Sequence, residues 1–148
     1  MKEIAIREAV ESDLPEILQA YTRAGIDGGQ SFTVEEAREH FARFRCYPSY
    51  RLFVALADGA IAGTYALLVL DNLAKRGART GIVEDVAVLP ERQGQGIGRA
   101  MMAHAREQCR GAGCYKLALS SNLCREAAHR FYESLGFERH GYSFVIRP

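Results

Sequence analysis

A chain of 148 residues is long enough to bury one hydrophobic core without disulfides or metal, and 48% apolar with 25% charged residues is ordinary for a globular protein. A net charge of +1 lacks the basic footprint of a nucleic-acid binder and makes small molecules the better candidate partners. No apolar run approaches the roughly 20 residues that span a bilayer, and Met-Lys-Glu-Ile-Ala-Ile-Arg at the start has no apolar signal core, so no membrane partner and a cytoplasmic location are expected.

Residues 3 to 7 read as a strand. Ser12 or Asp13 can cap a helix that runs to about Ala24, with Leu14, Ile17, Leu18 and Tyr21 at helical spacing and Gly25 as its break. Thr33-Val-Glu-Glu36 is a capping box for a second helix with an apolar face at Phe41 and Phe44, closed by Pro48. Arg51 to Ala57 and Ala60 to Leu70 are two β runs joined across Asp58-Gly59, a strong signal for a tight hairpin. A polar loop, Asp71 to Thr80, carries Lys75, Arg76 and Arg79, and a strand from Ile82 to Val88 follows. Ile97 to about Gly111 is helical, Tyr115 to Leu119 is a short β run, Asn122 begins a helical region capped by Gly136, and residues 139 to 146 read as a last strand. With no linker or repeat, residues 1 to 148 are expected to form one domain of mixed α/β class in the order β-α-α-β-β-β-α-β-α-β, a mixed, mostly antiparallel sheet flanked by about four helices. Cys46, Cys109, Cys114 and Cys124 show no Cys-x-x-Cys pairing and no His pair has zinc spacing, so no metal site is expected.

The most informative stretch lies between the sixth and seventh of these elements. Gln93-Gly-Gln-Gly-Ile-Gly98 joins an apolar strand to a helix, and Gly94, Gly96 and Gly98 let backbone amides and the positive end of the helix dipole approach an anion. A dinucleotide fingerprint would need glycine where Arg99 stands and an acidic ribose ligand downstream, and a Walker loop would need a Gly-Lys-Ser/Thr run. Neither is present. What remains is a Gln/Arg-x-x-Gly-x-Gly/Ala pattern behind a strand bearing Glu84 and Asp85.

That pattern resembles the coenzyme A loop of the GNAT superfamily of N-acetyltransferases. A second motif, Asn-x(4)-Ala-x(3)-Phe-Tyr-x(2)-Leu-Gly-Phe over Asn122 to Phe137, resembles the segment that follows the coenzyme loop in the same superfamily by one helix and one strand. Ile82-Val-Glu-Asp-Val-Ala-Val88, Gly113-Cys-Tyr-Lys116, Phe131-Tyr132 and Ile146-Arg147 are similar to glucosamine-6-phosphate N-acetyltransferases, and Ala-His-Arg-Phe-Tyr is similar to aminoalkylphosphonate N-acetyltransferases. The helix before Phe131 is a few residues longer than in the first group, and Ser120-Ser121 stands where that group has an acidic acceptor-site residue.

The resemblance implies a GNAT fold, acetyl-CoA as co-substrate and a small primary amine, anionic in both named groups, as acceptor. Glu84 is the first candidate for the base, with a structural ion pair as the other reading. Alternation puts Glu84, Val86 and Val88 on one strand face and Asp85, Ala87 and Leu89 on the other unless a bulge intervenes. By resemblance, the amides of Val86, Ala87 and Val88 lie along the thioester arm, Gln93, Gly94, Gln95, Gly96, Ile97, Gly98 and Arg99 hold the diphosphate, Asn122 touches the pantetheine and Tyr132 protonates the thiolate. Glu84, Asp85 and Arg147 are candidates for the acceptor, with Lys75, Arg76 and Arg79 as further cations for its phosphate or carboxylate. Arg99, Arg106 and Arg110 share a helix face that either reaches a nucleotide phosphate or is simply solvated. A homodimer is expected through the final strands. Peptide acetylation and non-catalytic acyl-CoA sensing are the rival functions.

Overall fold

Strand β1 (Ile4–Glu8) pairs antiparallel with β2 (Tyr50–Ala57), β2 with β3 (Ala60–Leu70), and β3 with β4 (Arg79–Val88); β4 then pairs in parallel with β5 (Cys114–Ala118), so spatial order equals chain order. These relationships come from a computed structural model that describes residues 3 to 148. The Asp58-Gly59 turn is tight because both residues take positive φ, 54° and 79°, which matches the twist of the strands it joins. A parallel neighbour cannot be reached by such a turn, and helix α3 (Ile97–Gly111) supplies the crossover between β4 and β5.

Side chains from alternate strand positions face two different helical layers. Leu52, Val54 and Ala66 join Leu14 and Ile17 of helix α1 (Leu14–Ala24) and Ala37 and Phe41 of helix α2 (Val34–Phe44) in one core. On the opposite face a Cβ added at Gly63 would meet Ile97 Cγ2 at 3.1 Å and Met101 Sδ at 3.2 Å, and one at Gly81 would run into Cys109 Sγ. Both glycines are therefore demanded by how closely α3 lies on the sheet. Burial there pushes the Cys109 thiol up to about 12, so it remains a neutral apolar filler.

Local signals act as expected. Thr33 Oγ1 accepts from Glu36 N–H at 3.2 Å and Glu36 Oε2 accepts from Thr33 N–H at 2.8 Å, a complete capping box. Gly25 ends α1 in the left-handed region. Asp13 is used differently from expectation: its buried carboxylate reaches back to Val10 N–H at 2.8 Å and takes Arg7 at 2.6 and 2.8 Å, while a short 3-10 turn, Glu11–Asp13, leads into α1.

The chain divides into two compact units, Met1–Ala118 and Leu119–Pro148. The second contains helix α4 (Glu126–Ser134), ended by Gly136 at φ 91°, with Phe137 N–H donating to Tyr132 C=O at 3.1 Å. The last strand expected over residues 139 to 146 does not form. A β run needs a ladder partner for its backbone groups, and Tyr142, Phe144, Val145 and Ile146 are instead about nine-tenths exposed.

Candidate active site

Strand β4 is not regular, and its irregularity falls on the candidate base. Ala66 faces Glu84 and Thr64 faces Ala87, so β4 carries both Asp85 and Val86 where β3 carries only Tyr65. That is a β-bulge, and Asp85 sits in it at φ 51°, a left-handed conformation rare for a residue other than glycine. The bulge overturns the simple alternation: past it the parity flips, so Glu84 and Ala87 share the α1/α2 face, whereas Val88 pairs with Gly63 on the α3 face.

The extra residue also brings both carboxylates into one electrostatic neighbourhood. Burial raises the Glu84 carboxyl above the ordinary carboxylate range and the charge of Asp85 raises it further; burial raises Asp85. Tyr21 on α1 and Tyr50 at the start of β2 complete the group. Burial lifts both phenols, the charge of Asp85 lifts both further, and that of Glu84 also reaches Tyr50. The two tyrosines thus remain neutral beside a pair of carboxylates whose protonated form burial favours. No local sequence pattern marks Tyr21 or Tyr50 for this place, because only the α1 packing and the sheet register bring them there.

Beyond Ile82, β4 loses its parallel neighbour. The β4–β5 register covers Arg79 to Ile82 only, which leaves the edge carrying Val86, Ala87 and Val88 without a β5 partner. This edge runs through a 3-10 turn, Pro90–Arg92, into the glycine loop. Gly94 and Gly96 have φ of 74° and 85°, and no atom lies within 4 Å of a Cβ built at Gly94. The amides of Gly94 to Arg99 have no hydrogen-bond acceptor among the described residues, and the first turn of α3 carries no acidic side chain. An uncapped helix N-terminus behind an unpaired strand edge fits a long ligand with amide-binding groups and an anionic diphosphate, as coenzyme A has.

The loop is held from outside. Arg23 of α1 clamps Glu91 through two bonds of 2.6 and 2.7 Å, Arg92 pairs with Asp58 of the hairpin turn at 3.0 Å, and Gln95 Nε2 donates to Glu91 C=O at 2.9 Å. Gln93 leans back on Val88 C=O at 3.4 Å, and Ile97 is buried. The side chains of Gln93 and Gln95 therefore shape the loop, and its amides are the groups left for a ligand. Of the helix arginines, Arg110 pairs with Glu107 at 3.1 Å.

In the second unit, Asn122 Oδ1 accepts from Cys124 N–H at 3.0 Å and the Asn122 carbonyl faces a ring nitrogen of His129 at 2.8 Å, which fixes the entry to α4. Tyr132 packs edge-on against Phe137, with centroids 5.7 Å apart, and beside Phe131 at 5.2 Å. Burial raises its phenol, a pull that Arg125 opposes, so the proton is present at neutral pH. Arg147 is exposed.

A family profile described as the acetyltransferase (GNAT) family matches residues 14 to 137. Glucosamine 6-phosphate N-acetyltransferase of Trypanosoma brucei brucei is 33% identical over 141 residues, covering 93% of this chain and 91% of that protein. Aminoalkylphosphonate N-acetyltransferase of Salmonella typhimurium is 33% identical over 108 residues, covering 73% and 70%. The solved structure of a putative acetyltransferase from Agrobacterium tumefaciens superposes with a TM-score of 0.90 at 35% identity, covering 97% of this chain and 99% of that one. With its family profile, curated relatives and fold in agreement, this chain belongs to the GNAT family of acetyltransferases.

Proposed function

We propose that the protein transfers an acetyl group from acetyl-CoA directly to the primary amine of a small anionic acceptor of the amino-sugar phosphate or aminoalkylphosphonate type. The observation that carries the reading is the β4 bulge, which gathers Glu84 and Asp85 beside a strand edge leading to the uncapped N-terminus of α3. The acceptor class is supported by the names of two relatives that each share a third of their aligned residues with this chain.

Bound acetyl-CoA supplies an acyl group activated as a thioester. The first task of the protein is to present a neutral amine, because an alkylammonium with a pKa near 10 is almost wholly protonated at pH 7. Glu84 takes that proton, helped by the raised basicity that burial and Asp85 confer. Amides from Val86 to Val88 that face the edge without a β5 partner donate to the acetyl oxygen as negative charge develops on it. The thiolate that leaves when the carbon–sulfur bond breaks takes its proton from Tyr132, a role assigned from the family resemblance. Gly94 to Arg99 hold the diphosphate, Asn122 the pantetheine, and Asp85 and Arg147 the acceptor. Pairing of two copies through the final segment belongs to the same proposal, supported by the exposed side chains of residues 142 to 146 and read by sedimentation equilibrium.

Thiol release from acetyl-CoA, measured with amino-sugar phosphates, aminoalkylphosphonates, polyamines and peptides, tests the reading. Turnover confined to the first two classes is expected. Turnover on peptides alone sinks the acceptor assignment, and none on any amine sinks the transfer.

A further inference from the structure

Tyr115, at the start of β5, is 46% exposed and has two cations against its ring: Lys75 Nζ lies 5.0 Å and Lys116 Nζ 5.4 Å from its centroid. Neither lysine nor the adjacent Arg76 has a carboxylate within ion-pair distance among the described residues, whereas Arg79 is taken by Asp71 at 2.8 Å and by Ala112 C=O. Lys75 and Arg76 are consecutive non-glycine residues at φ 52° and 57°, so the turn holds its two cations in a left-handed conformation that residues other than glycine rarely adopt. Asn72 braces this turn, donating from Nδ2 to Ala78 C=O at 2.7 Å and to Thr80 Oγ1 at 3.0 Å. Lys116 and the Thr80 hydroxyl, both beside the Tyr115 hydroxyl, hold that phenol below its ordinary range. The result is a braced group of ammonium and hydroxyl donors with no negative charge among them.

Its place on the sheet says what it receives. Thr80 pairs with Leu70, Ile82 with Leu68 and Glu84 with Ala66 in one regular register, so Thr80 and Glu84 share a face of β4, four residues or roughly 13 Å apart. We propose that Lys75, Lys116 and the Tyr115 and Thr80 hydroxyls bind the phosphate group of the acceptor whose amine is presented to Glu84. This rests on the transferase reading above and sharpens it, because a sugar ring between amine and phosphate spans that gap with the help of the long lysine side chains, and a two-carbon phosphonate does not. Two lysines with Arg76 adjacent, in a chain of net charge +1, suit a small dianion rather than a polyanion.

Two readouts test it. Amide chemical shifts are followed on titration with inorganic phosphate, in wild type and in the double variant Lys75→Gln/Lys116→Gln. Separately, the ratio of kcat/KM for glucosamine 6-phosphate to that for glucosamine is measured in both. Phosphate is expected to move the amides of Lys75, Tyr115 and Lys116 in wild type alone, and the ratio to fall by about tenfold in the variant, as the loss of charge-assisted hydrogen bonds dictates. Tyr115→Phe, which keeps the ring, should lower the ratio by a smaller factor. Phosphate shifts confined to other residues, or an unchanged ratio, overturn the assignment. If neither amine is acetylated, the transferase reading fails, while the phosphate titration still decides whether this patch holds an anion.

Discussion

Arg23 and Glu91 form a two-bond clamp, at 2.6 and 2.7 Å, between the last turn of α1 and the turn that opens the glycine loop. Both side chains are more than two-fifths exposed, so the pair adds at most about 1 kcal/mol to stability. Its consequence is positional, because Glu91 also accepts from Gln95 through its carbonyl and is kept from turning toward the anion cradle. Arg23→Gln is expected to raise the KM for acetyl-CoA by about two- to fivefold while the urea midpoint barely moves. A double-mutant cycle with Glu91→Gln should show non-additive KM effects. Additive effects would assign the clamp no part in the loop.

The paired carboxylates give a signed pH prediction. A base must be unprotonated to act, so kcat/KM should fall on the acid side as Glu84 gains a proton, with a midpoint above the ordinary carboxylate value. Glu84→Gln should lower kcat/KM by about 10²-fold or more and flatten that limb. Asp85→Asn keeps a residue that tolerates the left-handed bulge conformation but removes the charge that lifts Glu84. The acid limb should then move to lower pH. A limb that stays in place in both variants removes Glu84 from the role of base.

That bulge also marks where reading the sequence stops. Thr33 to Glu36, Asp58-Gly59 and Gly136 are legible because each is a local bargain between neighbours in the chain, and all three close as expected. Nothing in Val83 to Val88 announces an extra residue, since the register shift is decided by how Thr64 and Ala66 on another strand meet it. The same holds for Tyr21, which reads only as one of the helix's apolar positions, and for Tyr50, just outside the β run read from Arg51; both come into the electrostatic reach of the carboxylates only through packing. Residues 139 to 146 fail in the opposite sense: their β-prone composition is real, but composition supplies no ladder partner.

Tyr132→Phe isolates the proton that the departing thiolate needs. Removing one hydroxyl leaves the edge-on contact with Phe137 in place, so the fold of α4 should survive. Turnover is expected to drop by about tenfold or more, with acetyl-CoA affinity, measured by calorimetry, within about twofold. Equal losses in affinity and turnover would make Tyr132 a binding residue.

His104 gives a stability prediction on the face of α3. Arg51 Nη2 donates to Gln108 Oε1 at 2.7 Å, which leaves the Gln108 amide hydrogens facing His104 Nε2 at 3.4 Å. The ring proton therefore belongs on Nδ1, donated to Tyr65 Oη at 2.6 Å. A second proton would meet the amide hydrogens of Gln108 beside the Arg51 charge, and burial first, then Arg51, lowers the His104 pKa. Since the unfolded chain binds that proton more readily, stability should be complete above about pH 6.5 and decline as pH falls through the lower folded value. Urea midpoints between pH 7.5 and 5 should show this decline in wild type and a shallower one in His104→Gln; parallel slopes would assign the acid loss elsewhere.

Asp13, between β1 and α1, carries the same sign at lower pH. Its carboxylate is 8% exposed and holds Arg7 at 2.6 and 2.8 Å and Val10 N–H at 2.8 Å, and the Arg7 hydrogen bonds, foremost, keep its pKa below the ordinary value. The stabilisation is present above the unfolded carboxyl pKa, near 4, and is lost as pH falls through the lower folded value. Asp13→Ala strands an amide and an arginine at the junction of β1 and α1, and should cost about 2–3 kcal/mol. Asp13→Asn, which can still accept from Val10 but has no charge for Arg7, should cost less. Because α1 brings Tyr21 toward Asp85 and Arg23 to Glu91, both variants should also weaken acetyl-CoA binding in the order of their destabilisation. Loss of stability at neutral pH with coenzyme affinity untouched would separate the anchoring of α1 from the shaping of the loop.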